Sequence, residues 1–391
     1  MTFQRKRTVE FMSYQVTILG GGIAGLTTAI ALNNLGIETV VFEAAHQIKG
    51  VGAGLGLGAN AIMGFERLGI RDEVIARGRV LPSFAILDQE GKPITVTDTA
   101  QVSAKYGVDN FTIHRAELHQ LLLSKLDPKT VHTGKRGVQV EQSQDSVEVT
   151  FDDGSTVATN FLIVADGVHS AIRQKLLPNT APRYAGYTCW RSVIDKGDLN
   201  LSSSSETWGS KGRFGIVPLA KDKVYWFACI NAPRNSEHFR NYRRNDLLNN
   251  FGDYHEPIPS ILKKTKDEEL LWNDIIDVEP LPNYAFGRVL LIGDAAHATT
   301  PNMGQGACQA IEDAVVLANE LEANRDVLQA FSNFEKRRLK RTHYITNTSW
   351  KLGKVAQLAN PFFASLRNSL FRILPSSINQ KQLERLYDVD F

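Results

Sequence analysis

Cysteine is scarce in this 391-residue sequence: only Cys189, Cys229 and Cys308 occur, far apart, odd in number and without a Cys-x-x-Cys pair. That argues against a disulfide framework and against a zinc site. The nine histidines show no ligand spacing, so no metal is expected. Long apolar runs are missing too. No stretch approaches the roughly 18 residues a membrane span needs. The N-terminal MTFQRKRTVEFMSYQ is basic but has no apolar core, so it does not read as a secretory leader. Met12 is an alternative start, with residues 1–11 as an extension, and the expected location is the cytoplasm. Charge excess is also absent. Lys plus Arg number 44 and Asp plus Glu 42, which gives no support for a nucleic-acid partner.

What is present is globular. Hydrophobic residues make up 43% and charged residues 22%, enough for a large core. The length suits two or three domains or one composite. Tyr14–Leu19 reads as a strand, Leu26–Leu35 as a helix stopped by Gly36, and Ile37–Phe42 as a second strand, together a βαβ unit. The glycine-rich residues 50–58 read as loop, and Asn60–Leu68 as helix. Phe111–Lys125 reads as helical after Thr112. Three alternating runs fill 137–159, with a hairpin turn at Asp153-Gly154. Phe161–Ala165 is an apolar strand. From Tyr184 to about Glu279 aromatics and short strands dominate, including Gly212–Leu219 and Lys223–Ile230. Val289–Ile292 reads as a buried strand, and helices follow.

Three motifs carry the chemistry. Gly20-x-Gly22-x-x-Gly25 lies between a strand and a helix. Gly20 permits the turn, Gly22 lets a pyrophosphate approach the backbone, and Gly25 lets helix and strand pack. The helix N-terminus supplies N–H donors for phosphate. Glu43, at the end of the second strand, is placed to accept ribose hydroxyls. The second motif is Asp166-Gly-Val-His-Ser-Ala-Ile-Arg173; an Asp-capped strand-to-helix turn explains it equally well. The third is GDAAHATTPNMGQG, residues 293–306. Asp294 follows a strand and can accept hydrogen bonds from a polyol. Pro301 fixes the loop, while Gly304 and Gly306 expose backbone N–H groups. The helix beginning near Gln305 aims its N-terminus at whatever the loop holds.

GGGIAG, DGVHSAIR and GDAAHATTPNMGQGACQAIEDA, in this order and spacing, resemble the FAD-dependent group A monooxygenases, similar to para-hydroxybenzoate and salicylate hydroxylases. The resemblance covers essentially the whole chain. It implies an α/β fold: a Rossmann-like FAD-binding domain of the para-hydroxybenzoate hydroxylase type, an inserted β-rich substrate domain and C-terminal helices. Residues 1–79, 107–182 and 283–345 are assigned to the first, 80–106 and 183–282 to the second, and 346–391 to the third. By similarity Gly20, Gly22, Gly25 and Glu43 hold the ADP half of FAD, and Arg115 of IHRAEL its phosphate region. Asp166 and Gly167 face FAD and the nicotinamide nucleotide, Asp294 holds the ribityl chain, and Pro301, Gly304, Gln305 and Gly306 lie along the isoalloxazine. The implied reaction is hydride transfer from NAD(P)H, a transient visitor, then reaction with O2 to a flavin C4a-hydroperoxide that hydroxylates or epoxidises a small aromatic, heteroaromatic or polycyclic substrate. The alternative is a reductase or oxidase that releases H2O2 without oxygen insertion. Two departures are a missing arginine after Glu43, in AAHQIK, and Ala59-Asn60-Ala61 in place of Pro-Asn-Ala.

GRFGIVPLAKDKVYWF resembles the matching hairpin of FAD-dependent urate hydroxylases. On that likeness Arg213 pairs with an anionic or carbonyl-rich ring and Tyr225 orients it; a surface Arg and a core Tyr are the plain alternative. Tyr225, Phe227 and Cys229 share one strand face. His297 is expected to hydrogen-bond within its loop. Trp190 and Arg191 either line the pocket or stabilise the fold. The segment PFFASLRNSLFRILP carries Phe363, Leu366, Leu370 and Leu374 at helical spacing. Such a stripe more often packs on the parent domain than on a membrane surface. A monomer or homodimer is expected.

Overall fold

The computed structural model describes residues 13–48, 53–98, 100–108, 110–374 and 376–391. The chain opens with β1 (Ser13–Leu19), α1 (Ile23–Asn34) and β2 (Thr39–Glu43). β1 and β2 are parallel, with Ile18 opposite Val41. The helix begins earlier than expected, so Gly25 lies inside its first turn. A Cβ on Gly25 would stand 1.9 Å from the Gly20 carbonyl oxygen, which is why the turn needs glycine there.

Next comes β3 (Gly54–Leu57), where the glycine content predicts loop. Residues 49–52 of that expected loop lie outside the described residues. β3 pairs antiparallel with Phe111–His114. Its glycine has a packing reason: a Cβ on Gly54 would meet the Tyr225 side chain at 2.6 Å. The expected helix after Thr112 is also corrected. Phe111–His114 is strand, with Phe111 and Ile113 buried, and the helix spans Arg115–Ser124. His114 caps it, its Nδ1 accepting from the Ala116 N–H at 3.2 Å.

The runs in 137–159 form strands as expected, but the last continues without a break into the apolar FLIV. The result is β4 (Thr156–Val164). The chain then forms β5 (Arg183–Asp195), β6 (Ser204–Gly209), β7 (Gly212–Pro218), β8 (Lys223–Asn231), β9 (Leu271–Asp277) and β10 (Val289–Leu291). Helices α2 (Gly306–Ala323), α3 (Val327–Ala356) and α4 (Pro361–Ile373) follow.

Two large sheets organise these elements. In the first, β10, β4, β1 and β2 lie side by side in that order and are parallel. Ile18, Val41, Ile163 and Leu290 are fully buried in it, and α1 and α2 pack together on one side. Parallel strands covered on both faces read as continuous apolar runs, which is what these segments show. The second sheet has the order β9-β5-β8-β7-β6, extended by Ser83–Asp88 and Pro93–Asp98. Its outer face buries Trp190, Phe214 and Trp226, with Phe214 and Trp226 stacked at 5.2 Å. The α/β class with a β-rich second layer and C-terminal helices is the one the sequence implies.

One expectation about the C-terminal helices reverses. The apolar stripe of α4 does not pack on the parent domain. Phe363, Leu366, Leu370 and Leu374 face outward, while Ala364, Arg367 and Asn368 face in.

Candidate active site

Leu19, Glu43, Val164 and Leu291 end four neighbouring parallel strands, so Gly20, Glu43, Asp166 and Asp294 collect along one sheet edge. Ligands of open α/β sheets bind at this carboxyl edge. Two adjoining cavities, about 420 and 720 Å³, open there. Gly22, Ala53, Arg115 and Arg191 line both.

The first motif divides its labour. Gly20 (φ 106°) touches the Ala165 carbonyl so closely that a Cβ would sit at 2.3 Å, and Gly25 closes the turn. Gly22, the N-cap of α1, differs: its missing Cβ would meet no protein atom within 4 Å. That is a backbone surface left open beside a helix N-terminus. Glu43 lines the larger cavity and also braces the turn. Its carboxylate accepts from the Gly21 N–H at 2.7 Å and the Ala45 N–H at 2.8 Å, fixing the turn. Arg115 has no ion-pair partner among the described residues and faces both cavities.

In the second motif Gly167 (φ 86°) lines the cavity, and Asp166 lies just behind it. Asp166 Oδ1 is buried without a hydrogen-bond partner. Burial pushes its carboxyl up from 3.8 to about 6. Arg173, fully buried, donates to the carbonyls of Ala295 and Val168 at 3.2 and 2.7 Å, tying this motif to the third. The raised Asp166 pKa has a sign. The folded state holds its proton more tightly than the unfolded chain, so the group lowers stability above about pH 6 and the loss is relieved as pH falls toward 4. Asp166→Asn removes the effect. Its stability advantage over the parent apoprotein, from urea midpoints, is expected to shrink steadily from about pH 7 to about pH 4. An advantage constant with pH would contradict the assignment.

The third motif forms a short helix (Asp294–His297), a turn at Pro301–Met303 and then α2. Gly304 is left-handed (φ 63°), Gln305 is the N-cap and Gly306 the first residue of α2. All three line the smaller cavity with Asp294 and Pro301. Asp294 projects into the cavity yet is ringed by protein. That enclosure pushes its carboxyl above the usual range, against the pull of His297, Arg115 and Arg173.

Beneath the loop lies a buried polar network. The His297 backbone N–H donates to the Gly293 carbonyl within the loop at 2.8 Å, but its side chain turns out of it. Its Nε2 donates to Asp313 Oδ2 at 2.7 Å, and the same oxygen accepts the Gly293 N–H at 2.8 Å. Arg338 of α3 donates to Asp313 Oδ1 at 2.7 Å, to Glu312 Oε2 at 2.6 Å and to Gln309 Oε1 at 2.7 Å. Arg341 forks onto Glu312 at 2.6 and 2.7 Å. Asn60, from the Ala59-Asn60-Ala61 variant, donates to Gln305 Oε1 at 3.0 Å and to Glu312. Burial pushes both carboxylates up, but Arg338 and Arg341 hold Glu312 below the ordinary range, and His297 and Arg338 do the same for Asp313.

Sheet two supplies the roof. Arg213, Tyr225, Phe227 and Cys229 all face the smaller cavity. Arg213 is neither a surface residue nor free. It is 3% exposed and donates to Glu206 Oε1 at 2.9 Å and Gln357 Oε1 at 3.1 Å. Tyr225 lines the cavity, and its hydroxyl has no hydrogen-bond partner among the described residues. Cys189 lies directly opposite Cys229 across the β5–β8 ladder, and both are buried thiols in the roof. Strand alternation separates Trp190 from Arg191. Trp190 is in the outer core, whereas Arg191 faces the cavities and donates to Asn273 Oδ1 at 2.5 Å.

Sequence reasoning missed Glu206, the Arg338 network and Gln357. A signal existed for the second: Glu312-Asp313 interrupts an otherwise apolar face of α2. Nothing local marks Glu206 or Gln357.

The FAD binding domain family matches residues 13–329. The aurachin C monooxygenase/isomerase of Stigmatella aurantiaca is 36% identical over 362 residues, 92% of this chain and 94% of that protein. The 2-heptyl-3-hydroxy-4(1H)-quinolone synthase of Pseudomonas aeruginosa is 30% identical over 376 residues, 95% and 97% of the two chains. The structure of Klebsiella pneumoniae HpxO with FAD and uric acid superposes with a TM-score of 0.89 at 29% identity, covering 95% of this chain and 97% of that one. With the three motifs gathered on one sheet edge and this likeness along nearly its whole length, the chain belongs to the FAD-binding-domain family of flavoprotein monooxygenases, enzymes of the oxidoreductase class.

Proposed function

We propose that the protein uses NAD(P)H and O2 to hydroxylate a neutral, carbonyl-bearing heteroaromatic ring of the quinolone class. The balance is substrate–H plus O2, NAD(P)H and a proton, giving substrate–OH, water and NAD(P)+. The observation that carries the substrate class is the roof: Arg213 is neutralised by Glu206, Arg191 lies at the junction of the cavities bonded to Asn273, and Tyr225 carries an unpartnered hydroxyl. Phe227, Val217, Ile275 and the two thiols complete an apolar ceiling. An anion set against Arg213 would find that charge already compensated. Urate, polar on every edge, would leave most of its groups unpaired against it. A flat ring with one carbonyl suits Tyr225 as a single donor.

The residues present fit FAD. Gly22 leaves the open backbone a pyrophosphate needs, Arg115 is an unpaired cation beside it, and Asp294 faces the cavity as an acceptor for a polyol. When bound, the flavin accepts hydride from NAD(P)H and activates O2. The chain's own part is placement. The backbone N–H groups at Gly304–Gly306 and the N-terminus of α2 would stabilise negative charge on a flavin held in the cavity. Pro301 and Gly304 fix the loop's course. Glu43 holds the first turn in shape, and Asp166 with Gly167 shapes the second. Arg191, at the junction of the cavities, is placed for a visiting phosphate-bearing nucleotide. Tyr225 Oη holds its proton toward the substrate, and burial keeps it protonated.

The test is anaerobic stopped-flow reduction of the holoenzyme by NADH and NADPH, with a 2-alkyl-4-quinolone, urate or salicylate. Strong acceleration by the quinolone alone is the expected result. Acceleration by urate alone overturns the substrate class. Equal reduction without any ligand, with H2O2 released, overturns the monooxygenase reading in favour of a reductase or oxidase. Tyr225→Phe is expected to lower kcat/KM about tenfold, the size of one lost hydrogen bond, with flavin content unchanged.

A further inference from the structure

Large apolar side chains left in the open are concentrated in one place. Of the eleven most exposed among the described residues, eight lie between Val355 and Leu374. On α4, Phe362 is 71% exposed, Phe363 53%, Leu366 47%, Leu370 51% and Ile373 76%. Their spacing puts them on one side of the helix. The opposite side is anchored. Arg367 donates to the carbonyls of Val355 and Ala356 at 3.2 and 2.8 Å, and Phe371 packs edge-on against Trp208 at 5.5 Å. The helix is therefore held rigidly with its apolar face outward. Patches of this kind mark interaction sites.

The charge around the patch decides the partner. From Glu335 to the next acid, Glu384, the sequence contains no Asp or Glu but ten Lys or Arg. Arg337, Arg338, Arg341 and Arg372 are engaged with acids elsewhere in the fold. Lys336, Lys340, Lys351, Lys354 and Lys381 are exposed and make no ion pair among the described residues, although Lys354 donates to the Ala185 carbonyl at 2.9 Å. Lys351 and Lys354 border the patch directly, one turn from Val355 and Leu358. A second copy docking through this face would bring two cationic segments together. An anionic lipid surface would be attracted by the same lysines while the apolar side chains enter its interface.

We infer that α4, with the end of α3, is a peripheral docking surface for an anionic lipid bilayer. The consequence reaches the site, because the anchored side of α4 leads to the cavity wall. Trp208 donates to Glu206 Oε1 at 3.0 Å, and Gln357, between α3 and α4, accepts from Arg213. A substrate with a hydrocarbon tail would thus dissolve in the bilayer against which the enzyme sits. The docking itself does not depend on that substrate.

The experiment is flotation of purified holoenzyme with phosphatidylcholine vesicles, with and without phosphatidylglycerol. The protein is expected to float with the anionic vesicles and to be released by salt. Combining Leu366→Asp with Leu370→Asp should cut the floated fraction about tenfold, with flavin absorbance intact. Lys351→Glu with Lys354→Glu should weaken binding to the anionic vesicles only. Wild-type protein that stays at the bottom with both vesicle types overturns the inference. So does an aspartate variant that floats like the parent, or one that only converts a dimer to a monomer by light scattering. No substrate or turnover enters this assay, so its failure is separate from failure of the hydroxylation test.

Discussion

Arg338→Ala should destabilise the protein by about 3–5 kcal/mol, the cost of leaving buried charge uncompensated. Arg338 is 2% exposed and, among the described residues, is the only group that touches both Glu312 and Asp313 through charge-assisted bonds. Without it Glu312 keeps Arg341 and Asp313 keeps His297, so the helix is not expected to unravel outright. The loss falls on the loop, because Asp313 also holds the Gly293 N–H and Glu312 shares Asn60 with Gln305. The unfolding midpoint in urea and the flavin content of the purified protein should therefore fall together. Arg338→Lys should recover part of the stability, since an ammonium can serve one carboxylate well but not both. A midpoint close to that of the parent would show that the network is solvated in solution and bears little on the loop.

Gly22→Val should separate binding from folding. The backbone at Gly22 is extended (φ −80°, ψ −173°), which valine adopts readily, and its Cβ would point into open space. The apoprotein should fold with unchanged far-UV dichroism. FAD affinity should fall on the order of 100-fold, because the new side chain occupies the approach to the helix N-terminus. Titrating apoprotein with FAD and following flavin fluorescence measures this. Gly25→Ala is the contrast. Its methyl would collide with the Gly20 carbonyl, so soluble protein itself should be lost. Tight FAD binding by Gly22→Val would remove Gly22 from the cofactor's path.

The sequence was most legible where chemistry is local. The glycines of the first motif, Glu43 and the 293–306 stretch announce themselves by spacing within one strand–turn–helix unit. β3 was not legible because its glycines read as loop, and the strand that makes it a strand, Phe111–His114, is far along the chain. The helix at Arg115 was started too early because His114, an unusual cap, is not among the preferred residue types. Arg213 was legible only through the likeness of its hairpin to that of the urate hydroxylases. Its neutralisation by Glu206 was invisible, since that acid comes from the neighbouring strand of a hairpin whose register no local signal gives. The stripe on α4 shows the same limit. Periodicity reveals that a helix has an apolar face, but not which way the face is turned.

The 30 residues of α3 form one helix of roughly 45 Å. The family match ends at residue 329, barely into it, although Arg338 and Arg341 lie beyond. A fragment cut at that boundary would contain every glycine and acid at the sheet edge and still bury Glu312 and Asp313 with no guanidinium to oppose them. The nucleotide-binding part of this chain is therefore not autonomous. Its smallest independent version runs to at least Arg341, and any dissection, fusion or permutation of the protein has to keep that helix whole.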